Sequence, residues 1–224
     1  MPTLFIGNKN YSSWSMRPWL ALKWAGIPFE ERVLPMVGGV YGKSTAPEIA
    51  AASPSGRVPA LKTDDLTMWD SLSICEWAAE QAPESGLLPK DPIARAFCRS
   101  ACAEMHSGYQ GVRNGMTMNI RRTPKPEDAV RFERHEVQKD IARMQDVWAE
   151  ARQRFNPKGP FLFGAPSIAD AFFTPVATRF RTYGAKLSPE GQAYCDALLA
   201  DAAYLEWEQA AKAETWVIEV FDNA

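Results

Sequence analysis

Apolar residues in about the first 80 positions of the chain follow two alternating patterns. Short apolar runs bounded by turn residues predict strands, whereas apolar residues spaced three and four apart predict helices. The strands are predicted at 4–6, 29–34, 58–62 and 66–69, and the helices at 15–25, 48–52 and 71–82. This βαβαββα order predicts a small sheet in which the first two strands are parallel and the last two form a hairpin.

The pattern then becomes almost entirely helical. Segment 83–92 contains three prolines and a glycine, so it cannot continue the preceding helix and is predicted to be a linker. We therefore predict a thioredoxin-like α+β domain at 1–82 and an all-α domain at 93–224. The helices of the second domain are predicted at 93–114, 126–155, 190–200 and 203–211, with a further helix capped by Ser167 and Asp170.

Composition and charge narrow the range of partners. The 224 residues carry a formal net charge of −2, and their 46% hydrophobic content is ordinary for a globular protein. Nucleic acid and anionic membranes attract a cationic surplus, so neither is an expected partner. The N-terminus has neither the basic region nor the long apolar run of a signal sequence, and we predict a cytoplasmic protein.

The cysteines and histidines do not have the spacing of a metal site. The four cysteines contain no CxxC pair and the chain has two histidines, so we expect buried free thiols and no bound metal. Both histidines lie in helical patterns and no G-x-S-x-G elbow is present, which disfavours a serine hydrolase. His106, Tyr109 and Arg113 could line a cleft from one helical face, although a surface or core position is the more ordinary role.

Hydroxyl groups cluster where the first strand leads into the first helix, at Ser12, Ser13 and Ser15. The N-terminus of a helix attracts anions through its unpaired N–H groups. A free thiol has a pKa of about 8.5, and a hydrogen bond to its charged form is worth roughly 1.5–3 kcal/mol. Because one pKa unit corresponds to about 1.4 kcal/mol, a serine here could make most of a bound thiol reactive. The alternative is that these serines only cap the helix, and the local sequence leaves both open.

A proline interrupts the third predicted strand at Val58-Pro59. A cis bond there would leave the backbone of Val58 free to pair with an extended peptide. Further along, Asp70-Ser71 bring a carboxylate, a hydroxyl and unpaired helical amides to one point. Such a point suits an amino acid ligand with its ammonium and carboxylate, and together the two features suggest a glutathione site.

These features together resemble the cytosolic glutathione transferase family over nearly the whole chain. Five elements agree in order: the Ser12-Ser13 loop, segment 57–61, the Asp70-Ser71 pair, the proline-rich linker and the 167–170 capping box. The resemblance implies a thioredoxin-like domain that binds glutathione and a helical domain that forms much of the electrophile pocket. It also implies a homodimer.

The resemblance assigns roles to the residues around the sulfur of glutathione. Ser12 corresponds best to the hydroxyl that activates the thiol, and Ser13 is the fallback. Val58 would pair its backbone with the cysteinyl part of the ligand, and Pro59 would be the cis proline.

Further roles concern the two ends of glutathione. Asp70 and Ser71 would hold the γ-glutamyl ammonium and carboxylate. Lys43 and Arg57 are assigned to the neighbourhood of the glycyl carboxylate by sign and approximate position.

The second substrate is less well defined by sequence. Met105, Tyr109 and Arg113 are candidates for the electrophile pocket. The 12–15 loop is similar to the Ser-Ser-Cys-Ser loop of zeta-class members, which include maleylacetoacetate isomerases, but Trp14 replaces the cysteine. We predict an enzyme of detoxification that conjugates the glutathione thiolate to small hydrophobic electrophiles. An isomerase, a thiol reductase and a non-catalytic glutathione-binding protein are the alternatives.

Overall fold

The computed structural model describes residues 1–36, 47–155 and 158–222. Its N-terminal part is a four-stranded sheet of order β2-β1-β3-β4 with helices packed against it. The elements are β1 Thr3–Ile6, α1 Ser13–Trp24, β2 Glu30–Val33, α2 Pro47–Ala52, β3 Ala60–Lys62, β4 Thr67–Met68 and α3 Ser71–Gln81. The predicted βαβαββα order is confirmed.

The pairing of the strands follows from the lengths of their connections. Strands β1 and β2 are parallel, with Thr3 opposite Glu30 and Ile6 opposite Val33, and α1 supplies the crossover that a parallel pair needs. Strand β3 is antiparallel to both β1 and β4. The parallel first half and the closing hairpin were both predicted and are confirmed.

The second part of the chain is helical, as predicted. Its α-helices are α4 Pro92–Ser107, α5 Gln110–Gly115, α6 His135–Phe155, α7 Ile168–Tyr183, α8 Pro189–Leu199, α9 Ala202–Ala213 and α10 Glu219–Asp222. Short 3-10 helices occur at Pro83–Ser85, inside the predicted linker, and at Pro126–Glu133. Within the described ranges, no helix has both the length and the apolarity needed to cross a membrane.

Two helices predicted as continuous are interrupted, so both predictions were wrong. The 93–114 segment breaks after Ser107 because Gly108 is extended and Tyr109 adopts a left-handed backbone with φ of +58°. A Cβ at Gly108 would lie 2.8 Å from the carbonyl oxygen of Glu104, so this break requires glycine. The 126–155 segment begins as a 3-10 helix, and the extended Arg134 separates it from α6. The apolar residues before and after such a short break keep the spacing of one continuous helix. The sequence pattern therefore did not reveal either break.

The core is one cluster of buried side chains that runs from the sheet into the helices. Helix α1 packs on α3, α7 and α9. The buried rings of Trp19 and Trp207 meet edge to face at 5.3 Å between α1 and α9. The position of α1 therefore depends on the helical part of the chain as well as on the sheet.

The predicted capping box at the start of α7 is confirmed. Ser167 Oγ accepts a hydrogen bond from the N–H of Asp170, and Asp170 Oδ2 accepts one from the N–H of Ser167 at 2.8 Å. The Asp170 carboxylate also accepts from the buried hydroxyl of Tyr194. These hydrogen bonds stabilise the helical part of the chain. They join residues other than the candidate ligand residues.

Candidate functional site

Residues 7–15, which lead from β1 into the first turn of α1 and are called the serine loop below, carry three serine hydroxyls. Ser12 is the N-cap of α1, and its hydroxyl donates to Ser15 Oγ at 2.7 Å. Ser15 Oγ also accepts from the N–H of Gly7 at 3.1 Å. Ser13 Oγ accepts from Arg179 Nη2 in α7 at 3.1 Å, and it donates to no acceptor in the described part of the chain. The two candidate hydroxyls thus differ: Ser12 is engaged within its own helix, whereas Ser13 is polarised by a guanidinium.

The C-terminal segment holds the first half of this loop. The Glu214 carboxylate accepts hydrogen bonds from the backbone N–H of Lys9 at 2.6 Å and of Asn10 at 3.0 Å. The hydroxyl of Tyr11 donates to the Asp222 carboxylate at 2.8 Å. These contacts join positions about 200 residues apart. The local sequence gave no indication of them.

The Val58-Pro59 peptide bond is cis, as predicted, and the Trp69-Asp70 bond is also cis. Strand β3 begins at Ala60, so Val58 lies just outside the paired residues of the sheet. A Cβ at Gly7 would lie 3.2 Å from Val58 Cγ2, so glycine at the end of β1 allows Val58 to approach closely. The side chain of Val58 therefore lies against Gly7, at the start of the serine loop.

The N-terminus of α3 carries the other predicted ligand residues. Asp70 is the N-cap, and its Oδ1 accepts from the N–H of Leu72 at 2.9 Å. Ser71 is fully buried, and its hydroxyl has no hydrogen-bond partner in the described ranges. An unpaired buried hydroxyl costs about 1–3 kcal/mol, which favours a polar ligand atom at this position. The helix end thus offers an anion for an ammonium and a free hydroxyl for a carboxylate.

Helix α4 reaches the same point through a residue that the sequence did not single out as a ligand residue. His106 Nε2 lies 3.0 Å from Asp70 Oδ2. The imidazole also meets the Trp14 indole edge to face, with the ring centroids 5.2 Å apart. Burial lowers the pKa of His106, and the nearby cations Arg17 and Arg113 lower it further, while Asp70 opposes them. One imidazole therefore connects the serine loop with the N-terminus of α3.

A buried arginine, Arg17, packs against the ring of Trp14. The Arg17 Cζ lies 4.3 Å from the centroid of the Trp14 ring and 4.4 Å from that of Phe172. Arg17 is fully buried, and none of its three side-chain nitrogens has a hydrogen-bond partner in the described ranges. Burial lowers its pKa to about 9, so it remains charged at neutral pH. The sequence had assigned no role to Arg17, because helical spacing does not reveal a cation stacked between aromatic rings.

The three residues predicted for an electrophile pocket have different surroundings. Met105 is fully buried in the core, and the hydroxyl of Tyr109 donates to Glu104 Oε1 at 2.8 Å. The Arg113 guanidinium lies over the Trp14 ring with its Cζ 4.7 Å from the centroid, and it donates to the carbonyl oxygens of His106 and Gly108 at the end of α4. Of the three, Arg113 is the one in contact with the serine loop.

The residues predicted near the glycyl carboxylate remain predictions. Arg57 is exposed immediately before Val58. Lys43 lies outside the described residues.

All four cysteines are free and buried, as predicted. Burial raises the pKa of the Cys75 thiol above its usual range and that of Cys195 to about 12, so these thiols stay protonated. None lies at the N-terminus of α1. Within 1–36, 47–155 and 158–222, no group of three or more His, Cys, Asp or Glu residues could hold a metal ion.

Both parts of the chain are similar to known proteins. Residues 11–81 match the N-terminal domain of glutathione S-transferases, and residues 131–213 match their C-terminal domain. A probable maleylacetoacetate isomerase of Drosophila melanogaster is 26% identical over 84% of this chain and 72% of its own length. The maleylacetoacetate isomerase of Rattus norvegicus is 35% identical over 50% of this chain and 51% of its own length, so that match spans about half of each protein.

Solved structures share the fold. A maleyl pyruvate isomerase, described as a bacterial zeta-class glutathione S-transferase, superposes with a TM-score of 0.70 at 22% identity, covering 96% of this chain and all of the other. A glutathione transferase homologue from Burkholderia with bound glutathione gives a TM-score of 0.65 at 22% identity, covering 95% and 99% of the two chains. Since the two domain matches together span more than half of the sequence, in the family's order, the chain belongs to the glutathione S-transferase family.

Proposed function

We propose that this protein is a glutathione transferase that conjugates the glutathione thiolate to small hydrophobic electrophiles. The observation that carries the proposal is the N-terminus of α3, where the anionic Asp70 stands beside the buried, unpartnered hydroxyl of Ser71. This pair complements the ammonium and carboxylate of a γ-glutamyl group. A structural homologue from Burkholderia has glutathione bound, which supports the same ligand here.

In this proposal the ligand lies across the sheet edge from α3 to α1. The γ-glutamyl group binds Asp70 and Ser71, and the cysteinyl backbone pairs with Val58. The sulfur then points to the N-terminus of α1, where Ser12 donates a hydrogen bond to the thiolate. The positive end of the α1 dipole also favours the anion. Stabilisation of the thiolate lowers its pKa and raises the reactive fraction at neutral pH.

A glutathione-dependent isomerase is the second candidate. It is favoured by the similarity to maleylacetoacetate isomerases from animals. Trp14, which takes the place of the cysteine in the zeta-class loop, argues against it. Thiol reduction is disfavoured because all four cysteines are buried.

We also propose that the protein acts in the cytoplasm as a homodimer with a role in detoxification. Large apolar side chains at Leu66, Trp69 and Ile93 are 57%, 46% and 63% exposed, which a subunit interface would cover. Sedimentation equilibrium measures the mass in solution, and a mass near 25 kDa instead of twice that value would contradict the dimer.

A turnover screen tests the proposed activity. Purified protein is incubated with glutathione and, in separate reactions, a panel of aryl halide electrophiles, disulfides and maleylacetoacetate. Conjugation of an electrophile supports the transferase, whereas turnover of maleylacetoacetate alone replaces it with the isomerase. Glutathione binding without turnover would leave a binding protein, and the absence of binding in isothermal titration would contradict all these functions.

A further inference from the structure

Both carboxylate oxygens of Asp70 already have a close nitrogen neighbour. Oδ1 accepts from the N–H of Leu72 at 2.9 Å, and Oδ2 lies 3.0 Å from Nε2 of His106. An ammonium group that binds Asp70 must therefore share an oxygen with one of these donors. The Leu72 N–H belongs to the helix cap, so Oδ2 is the oxygen whose partner can vary.

The distance to Asp70 favours one tautomer of the imidazole. A bare Nε2 only 3.0 Å from a carboxylate oxygen would repel it, so the proton belongs on Nε2 and Nδ1 is the bare nitrogen. Nδ1 is buried and has no hydrogen-bond partner in the described part of the chain. A second proton on Nδ1 would be an unsatisfied buried donor.

The charges around the imidazole come from three elements. Asp70 faces it from the start of α3, Arg17 from α1 and Arg113 from α5, while α7 contributes the uncharged ring of Phe172 at 6.3 Å between centroids. Two cations against one anion, together with burial, favour the neutral imidazole and lower its pKa below the ordinary 6.5. At neutral pH the imidazole beside Asp70 is thus mainly neutral.

We infer that His106 is a positioning residue of the glutathione site: its neutral imidazole holds Asp70 Oδ2 in place for the γ-glutamyl ammonium, and its protonated form competes with that ammonium. The inference rests on the proposed function, since it requires a ligand with an amino group at Asp70. The residues predicted to bind glutathione all lie at 12–71. The inference adds a residue of the helical domain to the recognition of this ligand.

The sign of the pH dependence follows from this geometry. An imidazolium and an ammonium beside one carboxylate repel each other, so binding of either disfavours the other. Since the pKa of His106 is lowered, the competing form is the minor one at neutral pH, and its fraction rises as the pH falls. Affinity for a ligand with the amino group should therefore fall in acid. Because Asp70 and His106 are both partly exposed, we expect a loss of roughly fivefold between pH 7.5 and 5.0.

Isothermal titration with S-methylglutathione between pH 7.5 and 5.0 tests the inference, because this ligand has no thiol to ionise. The wild-type protein should lose roughly fivefold in affinity. The His106→Gln variant keeps an N–H donor for Asp70 but cannot titrate, so it should bind as the wild type does at pH 7.5 and change less in acid. The His106→Leu variant removes the donor and should bind more weakly at every pH.

Two controls separate this role from a structural one. The His135→Gln variant changes the other, exposed histidine and should keep the wild-type profile. A glutathione analogue without the α-amino group should show no difference between the wild type and His106→Gln at any pH.

The outcomes are distinguishable. A wild-type affinity that is flat with pH, or a His106→Gln profile identical to that of the wild type, overturns the inference while the proposed function stands. No binding of S-methylglutathione by the wild type at pH 7.5 overturns both. Far-UV circular dichroism identifies a misfolded variant, and if His106→Leu misfolds, the comparison of the wild type with His106→Gln still decides the question.

Discussion

The hydroxyls of Ser12 and Ser13 are adjacent in sequence but have different partners. Ser12 donates to Ser15 Oγ, a neutral acceptor, whereas Ser13 is held by the guanidinium of Arg179. A hydrogen bond to a charged acceptor is worth about 1.5–3 kcal/mol, compared with about 0.5–1.5 kcal/mol for a neutral one. Ser12 would therefore gain by exchanging Ser15 Oγ for a bound thiolate, whereas Ser13 would donate to it without giving up an acceptor, so substitution of each decides between them.

The Ser12→Ala variant should raise the pKa of the bound thiol towards 8.5 and lower kcat/KM by about 10- to 100-fold, because a hydrogen bond to the charged sulfur is lost. The thiolate is followed by ultraviolet absorbance and the rate by steady-state kinetics with an electrophile. The Ser13→Ala variant is the matched control and should have the smaller effect. The reverse order would reassign the activating hydroxyl to Ser13.

The Ser71 hydroxyl has no hydrogen-bond partner in the described residues, so its removal should affect protein stability and ligand binding differently. Ser71→Ala removes a buried group without a partner, so the free energy of unfolding should stay the same or rise, while glutathione affinity falls by roughly tenfold. Urea denaturation and isothermal titration measure the two quantities. Ser167→Ala, which removes a satisfied cap, should instead lower stability by about 1 kcal/mol. A comparable loss of stability in Ser71→Ala would show that its hydroxyl has a protein partner.

At the scale of elements, the segment after α9 acts on the loop before α1. Glu214→Ala leaves the N–H groups of Lys9 and Asn10 without their acceptors and should destabilise the protein by about 1–3 kcal/mol. We also expect a higher pKa of the bound thiol, because the loop carries Ser12. Glu219→Ala, at an exposed position in α10, should leave both quantities unchanged. Urea denaturation and ultraviolet absorbance measure the two quantities. If Glu214→Ala and Glu219→Ala had equal effects, Glu214 would not be the residue that holds the loop.

The 3-10 helix at Pro126–Glu133 is held by one carboxylate. Burial opposes ionisation of Asp128, but hydrogen bonds from Arg122, the Lys125 N–H and Arg131 outweigh it and lower its pKa to about 2. A depressed pKa stabilises the fold above the unfolded value, and this contribution is lost as the pH falls towards 2. The stability of this 3-10 helix therefore depends on the charge of Asp128.

Asp128→Asn should lower the free energy of unfolding by about 3–5 kcal/mol at pH 7, because it leaves buried arginine charge uncompensated. The difference from the wild type should shrink between about pH 4 and pH 2 as Asp128 itself takes up a proton. Urea denaturation at several pH values measures this, with the exposed Glu127→Gln as control. A difference that does not vary with pH would contradict the role of the charge.

At the scale of the whole molecule, the sheet and the helices are joined by hydrogen bonds as well as by the core. The indole of Trp207 in α9 donates to the Lys9 carbonyl at 3.0 Å, and that of Trp24 in α1 donates to Asp201 at 2.9 Å. Helix α1 is thus covered by helices from both parts of the chain. Loss of either part would expose its apolar faces.

We therefore expect one cooperative unfolding transition, even though the sequence pattern divides the chain into two domains. Urea curves followed by far-UV circular dichroism and by tryptophan fluorescence should coincide. Trp207→Phe, which keeps an aromatic ring but loses the N–H, should lower the midpoint of this single transition. Two separated transitions in the wild-type protein would show that the domains unfold independently.

The sequence by itself determined the order of strands and helices, the capping box at Ser167 and the burial of the cysteines. These features depend on interactions within a few residues, such as apolar spacing and side chains that cap their own helix. The cis proline at Pro59 was implied by the resemblance to the family, and the local sequence left a capping role for Ser12 open. The same reasoning missed the breaks at Gly108 and Arg134, because a break of one or two residues leaves the apolar spacing on either side intact.

Only the tertiary structure decided which distant residues meet. It brought His106 to Asp70, enclosed Arg17 between Trp14 and Phe172, and joined Glu214 to the serine loop. The physical reason is that periodicity indicates which residues of a helix face inward but contains no information about what they face. The partner is set by how helices pack, and that packing places the Arg17 guanidinium against aromatic rings and His106 beside Asp70.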